Sequence, residues 1–547
     1  MCFIWKIVLN MNYKNGQLAN GIERLKRIIL IVSIILSGNL VYSQTPDPTI
    51  TKLFQNSYKV IDAMRIKTSP GVGIYLDALA INTGDKPVAL AANGVGLISL
   101  CIADAMYKKT GDALNWDSNA ESKALQTINE WIRLKNTAGA VNVNGLFHRY
   151  LDPKDGSWVW VTEHSTIDNA ILATGFLFCK NYFHSNADIV SKTTTLLNSM
   201  DFTAAISGGE MYMILDDNGV PSIVANPFNE YMVLAWWAKN SNPSFSGYAE
   251  AQTYWTNNFS DAAKLPKYNY PAGNPTLSEG NFAQSSFQIQ FCYYYCHYFS
   301  HNTNYMTYFN NQATADRAWW QNTTGQHVAW GCGAGEIPGG GYSADAVNKN
   351  LNKIVSPHII AGFSPVDAGV KNDLIALYAN GTGKAVYKIP GTNREFLWRY
   401  KYADTGKRTS YIQAVDFSTM LYGLASLSEY LGTGFFKTYN DFNFVSSTSS
   451  IDLKKNNDYL NIFPNPFTDQ TMLQFELKKK SMVKIEVYSE NGQMIKQLVK
   501  QLMDGGKHSI QWNGRNEVNT VVPTGVYFSR MTIDNGVSLT KEILKVK

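Results

Sequence analysis

WVWVTEHSTIDNAILATGFLFCKNYF, residues 158–183, is the stretch from which the fold is read. Ser165 reads as a helix N-cap, and Asp168 three residues on completes a capping-box-like arrangement. From Ile167, the residues Ala170, Ile171, Thr174 and Phe178 recur at helical spacing, while Ala173, Phe176 and Leu177 fill much of the other side. A surface helix would keep a polar face. This one is apolar nearly all round, which predicts an inner helix buried among other helices. Glu163 stands just ahead of it, beside Trp158, Trp160 and His164, at the lip of a buried layer.

Working outward, the same alternation of wholly apolar and one-faced helical patterns runs from Phe54 to about Phe442. Helices are expected over Phe54–Arg65, from near Val95 through Ala105, around Ala124–Ile132, after Glu163, after Val190, after Pro227, around Phe287–Tyr298 and over Phe417–Tyr430. Some 390 residues supply about a dozen helices with their connections. An inner ring and an outer ring of helices follow naturally from the alternation; periodicity alone specifies a large all-α domain.

The ends differ from this middle. Arg24, Lys26 and Arg27 precede an apolar run from Ile28 to Leu36, and Val41 and Ser43 fit a cleavage site, so residues 1–43 read as a secretory signal peptide with Gln44 first in the mature chain. Met11 is a second possible start. No other segment is expected to span a membrane. The helical domain occupies 44–444, and a Ser/Thr/Asn-rich linker occupies 445–458. In 459–547 the period falls to two: Leu473, Phe475 and Leu477 alternate with Met472, Gln474 and Glu476, and Val483, Ile485 and Val487 follow suit. With turn signals at Asn491-Gly492, Gly505-Gly506 and Pro523-Thr524-Gly525, this predicts a small all-β sandwich.

Composition bounds the function. Of 547 residues, 45% are hydrophobic, 13% aromatic and 17% charged, a globular balance with ample core. The net charge of +5 misleads, because residues 1–43 and 459–547 each carry +4, and the middle holds 31 basic against 34 acidic residues. A mildly acidic working domain has no basic patch for nucleic acid. Beyond Cys2 in the leader, Cys101, Cys179, Cys292, Cys296 and Cys332 are odd in number and irregular in spacing, a poor disulfide framework. Cys292, Cys296 and His297 lie in an apolar helical run and read as buried side chains; no metal site and no cofactor is expected.

Two carboxylates invite chemistry. Glu163 is one. Glu230 is the other, in Asn226-Pro227-Phe228-Asn229-Glu230-Tyr231, where Asn226 reads as N-cap and Pro227 as the first helical residue, so that Glu230 falls in the first turn. If both following helices are inner ones running parallel, both acids face one cavity. A first-turn acid also simply favours the helix dipole.

The motifs carry a resemblance. Glu163 with Ser165-Thr166-Ile167-Asp168, the segment Gly145-Leu146-Phe147-His148-Arg149-Tyr150, the Glu230 motif, Trp330–Tyr342 (WGCGAGEIPGGGY), Ser356-Pro357-His358 and Asp416-Phe417-Ser418-Thr419 occur in the order of the glycoamylase-like domain, which includes the endo-β-1,2-glucanases of glycoside hydrolase family 144. The resemblance implies an (α/α)6 barrel, glycoside hydrolysis, and catalytic glutamates at Glu163 and Glu230. Arg149, Glu336 and Asp416 stand in the family's motifs and are expected to contact substrate, Asp416 being open also to a third catalytic role or to plain helix capping, and Glu336 standing where an aspartate is more usual; Trp160, beside Glu163, and Trp330, as a stacking platform, are expected to meet sugar rings. Asp168 fits helix capping. In the C-terminal region, Phe463-Pro464-Asn465-Pro466, Val487-Tyr488, Asn491-Gly492-Gln493 and Gly525-Val526-Tyr527-Phe528 resemble the type IX secretion system sorting domain.

The expectation is therefore a secreted or surface-attached glycoside hydrolase that inverts configuration with two acids and no cofactor, Glu230 as acid and Glu163 on the base side. Its partners are a β-glucan and the secretion machinery. Two alternatives stand beside it: a hydrolase of another β-linked glucan or oligosaccharide, and an inactive surface glycan-binding protein. A glucan phosphorylase would need a basic phosphate pocket, and no such cluster accompanies the motifs.

Overall fold

The computed structural model describes residues 46–69, 71–81, 86–160, 163–380, 384–403, 406–444, 460–477, 479–489, 493–533 and 537–546. The signal peptide (1–43), the linker (445–458) and the Asn491-Gly492 turn expected from sequence lie outside these residues. The chain divides into two compact units, one ending at Phe442 and the other beginning at Asn443 and including His184–Ala187.

The first unit is mainly helical. Six helices are buried almost all round: α2 (Leu90–Thr110), α4 (Thr166–Tyr182), α6 (Met232–Lys239), α8 (Ser286–Tyr295), α11 (Pro357–Gly362) and α13 (Ala414–Ala425). Six others alternate with them along the chain and bury one face: α1 (Pro48–Ala63), α3 (Ala120–Lys135), α5 (Ala187–Asn198), α7 (Tyr248–Asn258), α10 (Thr303–Thr324) and α12 (Val370–Asn380). Among the described residues, two shorter α-helices, α9 (His297–His301) and α14 (Gly434–Tyr439), accompany them. Each buried helix packs on the next, and α13 packs back on α2.

Glycines set the closest of these crossings. A Cβ on Gly94 of α2 would stand 2.2 Å from the carbonyl oxygen of Ile171, and one on Gly175 of α4 would stand 2.6 Å from Gly94 Cα. Only bare backbone allows that approach. Against the sequence reading, α2 is long and apolar enough to cross a membrane by composition. However, 89% of its apolar window is buried inside the unit, so it is a core helix. It starts at Leu90, five residues earlier than expected, because Asn93 fixes its first turn: the Asn93 side chain accepts from Tyr75 N (3.0 Å) and donates to the Tyr75 and Ala89 carbonyls (3.0 and 2.8 Å). α4 begins where the sequence places it, with Ser165 Oγ accepting from Asp168 N at 3.4 Å.

The Glu230 segment corrects an expectation. The helix begins at Met232, not Pro227. Asn226 and Asn229 instead accept from Phe228 N (3.0 Å) and Tyr231 N (2.9 Å), local turns that compete with helix formation. Glu230 is therefore in a tight turn just before the buried helix.

Short strands mark the end of the unit where the buried helices begin. Val88–Ala89 leads into α2, His164–Ser165 into α4, Phe282–Ala283 into α8, Ile354–Val355 into α11 and Tyr411–Gln413 into α13. Each is held by an antiparallel partner, respectively Tyr150–Leu151, Glu210–Leu215, Pro275–Glu279, Tyr400–Lys401 and Ala78–Ala80. Among the described residues, the five cysteines are buried free thiols.

The second unit is all β. β1 (Leu460–Phe463), β2 (Thr471–Leu477) and β5 (Gly506–Trp512) form one sheet in the order β1-β2-β5. β3 (Ser481–Ser489), β4 (Met494–Met503), β6 (Gly525–Ile533) and β7 (Val537–Lys545) form the other in the order β4-β3-β6-β7. Leu473, Phe475, Leu477, Val483, Ile485, Val487 and Trp512 meet in one core, as the period of two requires.

Candidate active site

The strand segment around Arg149 lies between the start of α2 and the Glu163 segment: Leu90 N donates to Arg149 O (3.3 Å), and Arg149 N donates to Glu163 O (2.8 Å). Period-two alternation then turns Arg149 and Glu163 to one side and their neighbours His148 and His164 to the other. The Arg149 guanidinium sits between two acids, with Nη1 3.3 Å from Glu163 Oε1 and Nε 3.3 Å from Asp168 Oδ2. Asp168 above all favours its charged form. Asp168 also takes the Ser165 hydroxyl, so its capping role and its pairing with Arg149 coexist.

Glu230 has a different environment. Gln288, 5% exposed at the start of α8, donates from Nε2 to Glu230 Oε2 (2.7 Å) and also faces Glu279 Oε2 (3.2 Å). Burial pushes the Glu230 carboxyl up to about 6, the Gln288 hydrogen bond opposes this, and Glu279 and Asp168 add like charge. Glu163 thus has a cation as partner, whereas Glu230 has a neutral amide and, beyond it, a second carboxylate.

Asp416, in the first turn of α13, is the third acid. It is 2% exposed, and the Tyr342 hydroxyl reaches both of its oxygens (3.0 and 3.1 Å). Burial pushes it up to about 7, with Asp77 and Glu230 adding repulsion. Asp77 itself is pushed up to about 6 by burial, against the pull of Lys86. Asp77, Asp168, Glu230 and Asp416 therefore belong to one electrostatically coupled cluster at the starting ends of the buried helices.

The glycine-rich segment is a β-hairpin. Ala334–Glu336 pairs with Tyr342–Ala344, and Gly339, Gly340 and Gly341 turn it with φ of 94°, 112° and 88°. Arg399, fully buried, straps it from beneath: it donates to Gly333 O (3.2 Å) and Ser343 Oγ (3.0 Å) and pairs with Asp345. The hairpin so held places the Tyr342 hydroxyl on Asp416, although the Tyr342 residue is 57% exposed as a whole.

Two residues expected at the site are placed elsewhere or otherwise engaged. Trp330 is a correction: it is completely buried, donates Nε1–H to Asp373 Oδ2 (2.9 Å), stacks on Phe363 (5.9 Å between centroids) and lies under Arg317. A ring covered on both faces cannot stack on a sugar. Glu336 commits Oε2 to the backbone N–H groups of Ser410 (2.8 Å) and Tyr411 (2.6 Å), anchoring the strand before α13. Trp160, by contrast, is 59% exposed and meets Tyr150 edge-on at 5.0 Å. Sequence reasoning missed Gln288, Glu279 and Asp77 and took Tyr342 only as the end of a motif; each reaches the cluster only through tertiary packing.

A secretion system C-terminal sorting domain matches residues 461–546. A domain of this kind supports secretion or cell-surface attachment. No curated protein matches the chain by sequence. In fold, the chain is similar to a protein from Bacteroides uniformis provisionally described as a glucoamylase, with a TM-score of 0.59 and 13% identity over 72% of this chain and 93% of that one. It is also similar to the endo-β-1,2-glucanase of Chitinophaga pinensis, solved with sophorotriose and glucose (TM-score 0.55, 15% identity, 71% and 94% covered). A third likeness is to a variant endo-β-1,2-glucanase of Talaromyces funiculosus, solved with β-1,2-glucan (TM-score 0.52, 15% identity, 72% and 86% covered). The helical unit thus has the fold of glucoamylase-like and endo-β-1,2-glucanase proteins, and the β unit is a type IX secretion sorting domain.

Proposed function

We propose that the chain is a secreted glycoside hydrolase that cleaves β-1,2-glucan internally and inverts the anomeric centre, on a helical unit that is an (α/α)6 barrel. The alternation of six buried with six one-faced helices, and the contact of α13 back on α2, support the barrel. The observation that carries the chemistry is the contrast between Glu230, pushed up to about 6, and Glu163, held by Arg149. Glycosidases need one protonated and one ionised carboxyl across the scissile bond.

In this reading, Glu230 gives its proton to the glycosidic oxygen as the bond to the anomeric carbon breaks. Glu163, oriented by Arg149, takes a proton from the water that attacks the opposite face of the sugar. Asp416, with Tyr342, holds a sugar hydroxyl or assists on the water side. Trp160 offers an exposed face for a sugar ring. Arg149 and Glu336 complete the substrate contacts, Glu336 through its remaining oxygen. The reaction uses two acids and no cofactor. The likeness in fold to two endo-β-1,2-glucanases is what supports β-1,2-glucan as the substrate.

The test is digestion of linear β-1,2-, β-1,3- and β-1,4-glucans, with the anomeric form of the first product followed by NMR. Short oligosaccharides from β-1,2-glucan alone, released as the α-anomer, are expected. Release of the β-anomer overturns inversion, and cleavage of another glucan overturns the linkage. Binding without cleavage of any glucan would replace the hydrolase with a glycan-binding protein.

A further inference from the structure

On the side of the Arg149 and Glu163 segments away from those side chains, His148 and His164 are stacked with ring centroids 3.8 Å apart. Both are buried, 6% and 1% exposed, and both turn Nε2 toward one oxygen of Asp217. His164 Nε2 is 2.9 Å from Asp217 Oδ1, a good hydrogen bond. His148 Nε2 is 3.5 Å away, too far for a good one, and the Nδ1 atoms of both rings are buried with no partner among the described residues. A buried imidazole without a proper hydrogen bond at either nitrogen is costly unless something else takes its lone pair.

We propose that His148, His164 and Asp217 bind one divalent transition-metal ion of the zinc class. The three ligand atoms lie within 4.8 Å of one another. At metal–ligand distances of about 2.0–2.2 Å, neighbouring ligands of a tetrahedral ion sit about 3.3 Å apart. The 2.9 and 3.5 Å separations bracket that edge. Two imidazoles and one carboxylate suit zinc, cobalt or nickel rather than calcium or magnesium. The Asp217 side chain is 77% exposed, which leaves the fourth position to water from the solvent side.

The ion would fasten three pieces of chain. His148 adjoins Arg149, His164 adjoins Glu163, and Asp217 lies in the turn closed by Gly219 N donating to Asp216 O (3.0 Å). The site is thus a buttress behind the Arg149–Glu163 pair. It stands on its own geometry and does not depend on which glycan, if any, the cluster cleaves.

The full-length mature protein, dialysed against chelator, is titrated with Co²⁺ and followed by its visible ligand-field absorption, then challenged with Zn²⁺. One equivalent of Co²⁺ developing a four-coordinate band that Zn²⁺ bleaches is expected. Asp217→Ala, an exposed substitution compatible with folding, weakens binding roughly tenfold or more, since even residues that only orient ligands are worth 10- to 100-fold. The double substitution His148→Gln with His164→Gln abolishes the band, with circular dichroism checking the fold. No one-equivalent band in the wild type, or wild-type affinity in Asp217→Ala, overturns the proposal.

Discussion

Replacing Gln288 by Leu removes the amide that donates to Glu230 while keeping side-chain bulk at the start of α8. Its Nε2 stands 2.7 Å from Glu230 Oε2 and 3.2 Å from Glu279 Oε2, so its two N–H groups serve two carboxyls. A hydrogen bond to a charged group is worth about 1.5–3 kcal/mol. At the low end of that range, the bond to Glu230 is worth about 1.5 kcal/mol, or roughly one pKa unit. The amide favours the ionised carboxylate, so its removal raises the pKa. In the proposed mechanism Glu230 must be protonated to act as the acid, so activity is expected to fall as pH rises through its pKa. The alkaline limb of kcat/KM for β-1,2-glucan, expected near pH 6 in the wild type, therefore moves up by about one unit in Gln288→Leu. The assay is reducing-end release across pH 4–9 at low substrate. A limb that stays in place or moves down refutes the assignment of Glu230 as the titrating acid.

Asp416→Asn trades activity for stability. With a folded pKa of about 7 against about 3.9 unfolded, the native state binds the extra proton between these values, so the wild-type acid loses stability as pH rises from 4 to 7; the neutral amide removes about 4 kcal/mol of that penalty above pH 7 and little at pH 4. Thermal melts at pH 8 and pH 4.5 check this, and equal shifts at both contradict it. Arg149→Lys lowers kcat/KM by about 10- to 100-fold, because a lysine cannot reach Glu163 and Asp168 together with a planar fork; steady-state kinetics on β-1,2-glucan measures it. Trp330→Phe lowers the melting temperature, since the Asp373 hydrogen bond is lost at a cost of about 1–3 kcal/mol, yet leaves KM unchanged, whereas Trp160→Ala raises KM with little effect on melting.

How much of this was legible differs by residue. The start of α4 was, because Ser165 and Asp168 form a cap from neighbouring residues alone. The β unit was, because alternation such as Leu473, Phe475, Leu477 reports burial directly. The turn at Glu230 was not: Pro227 after Asn226 favours a helix start, and the competing turn at Asn229 decides the outcome by local hydrogen bonding. α10 escaped because its Asn-, Gln- and Thr-rich sequence hides the buried face of Tyr305, Tyr308, Phe309, Gln312, Asp316, Trp319 and Trp320. Trp330 was misread as a platform because a tryptophan beside glycine looks the same in sequence whether it faces solvent or core. Tyr342 reaches Asp416 across 74 residues of chain and Gln288 reaches Glu230 across 58, and a single sequence carries no signal for such pairs. His148 and His164 were visible as neighbours of Arg149 and Glu163, but their partner Asp217, 53 residues from His164, was not.

The most direct measurement is hydrolysis of linear β-1,2-glucan by the wild type and by Glu230→Gln, with substrate binding by both followed by calorimetry. The proposed acid catalysis predicts rapid release of short oligosaccharides by the wild type and a loss of about 10²-fold or more in kcat for the variant, with binding retained. Undiminished turnover by Glu230→Gln, or no turnover by the wild type, would contradict it.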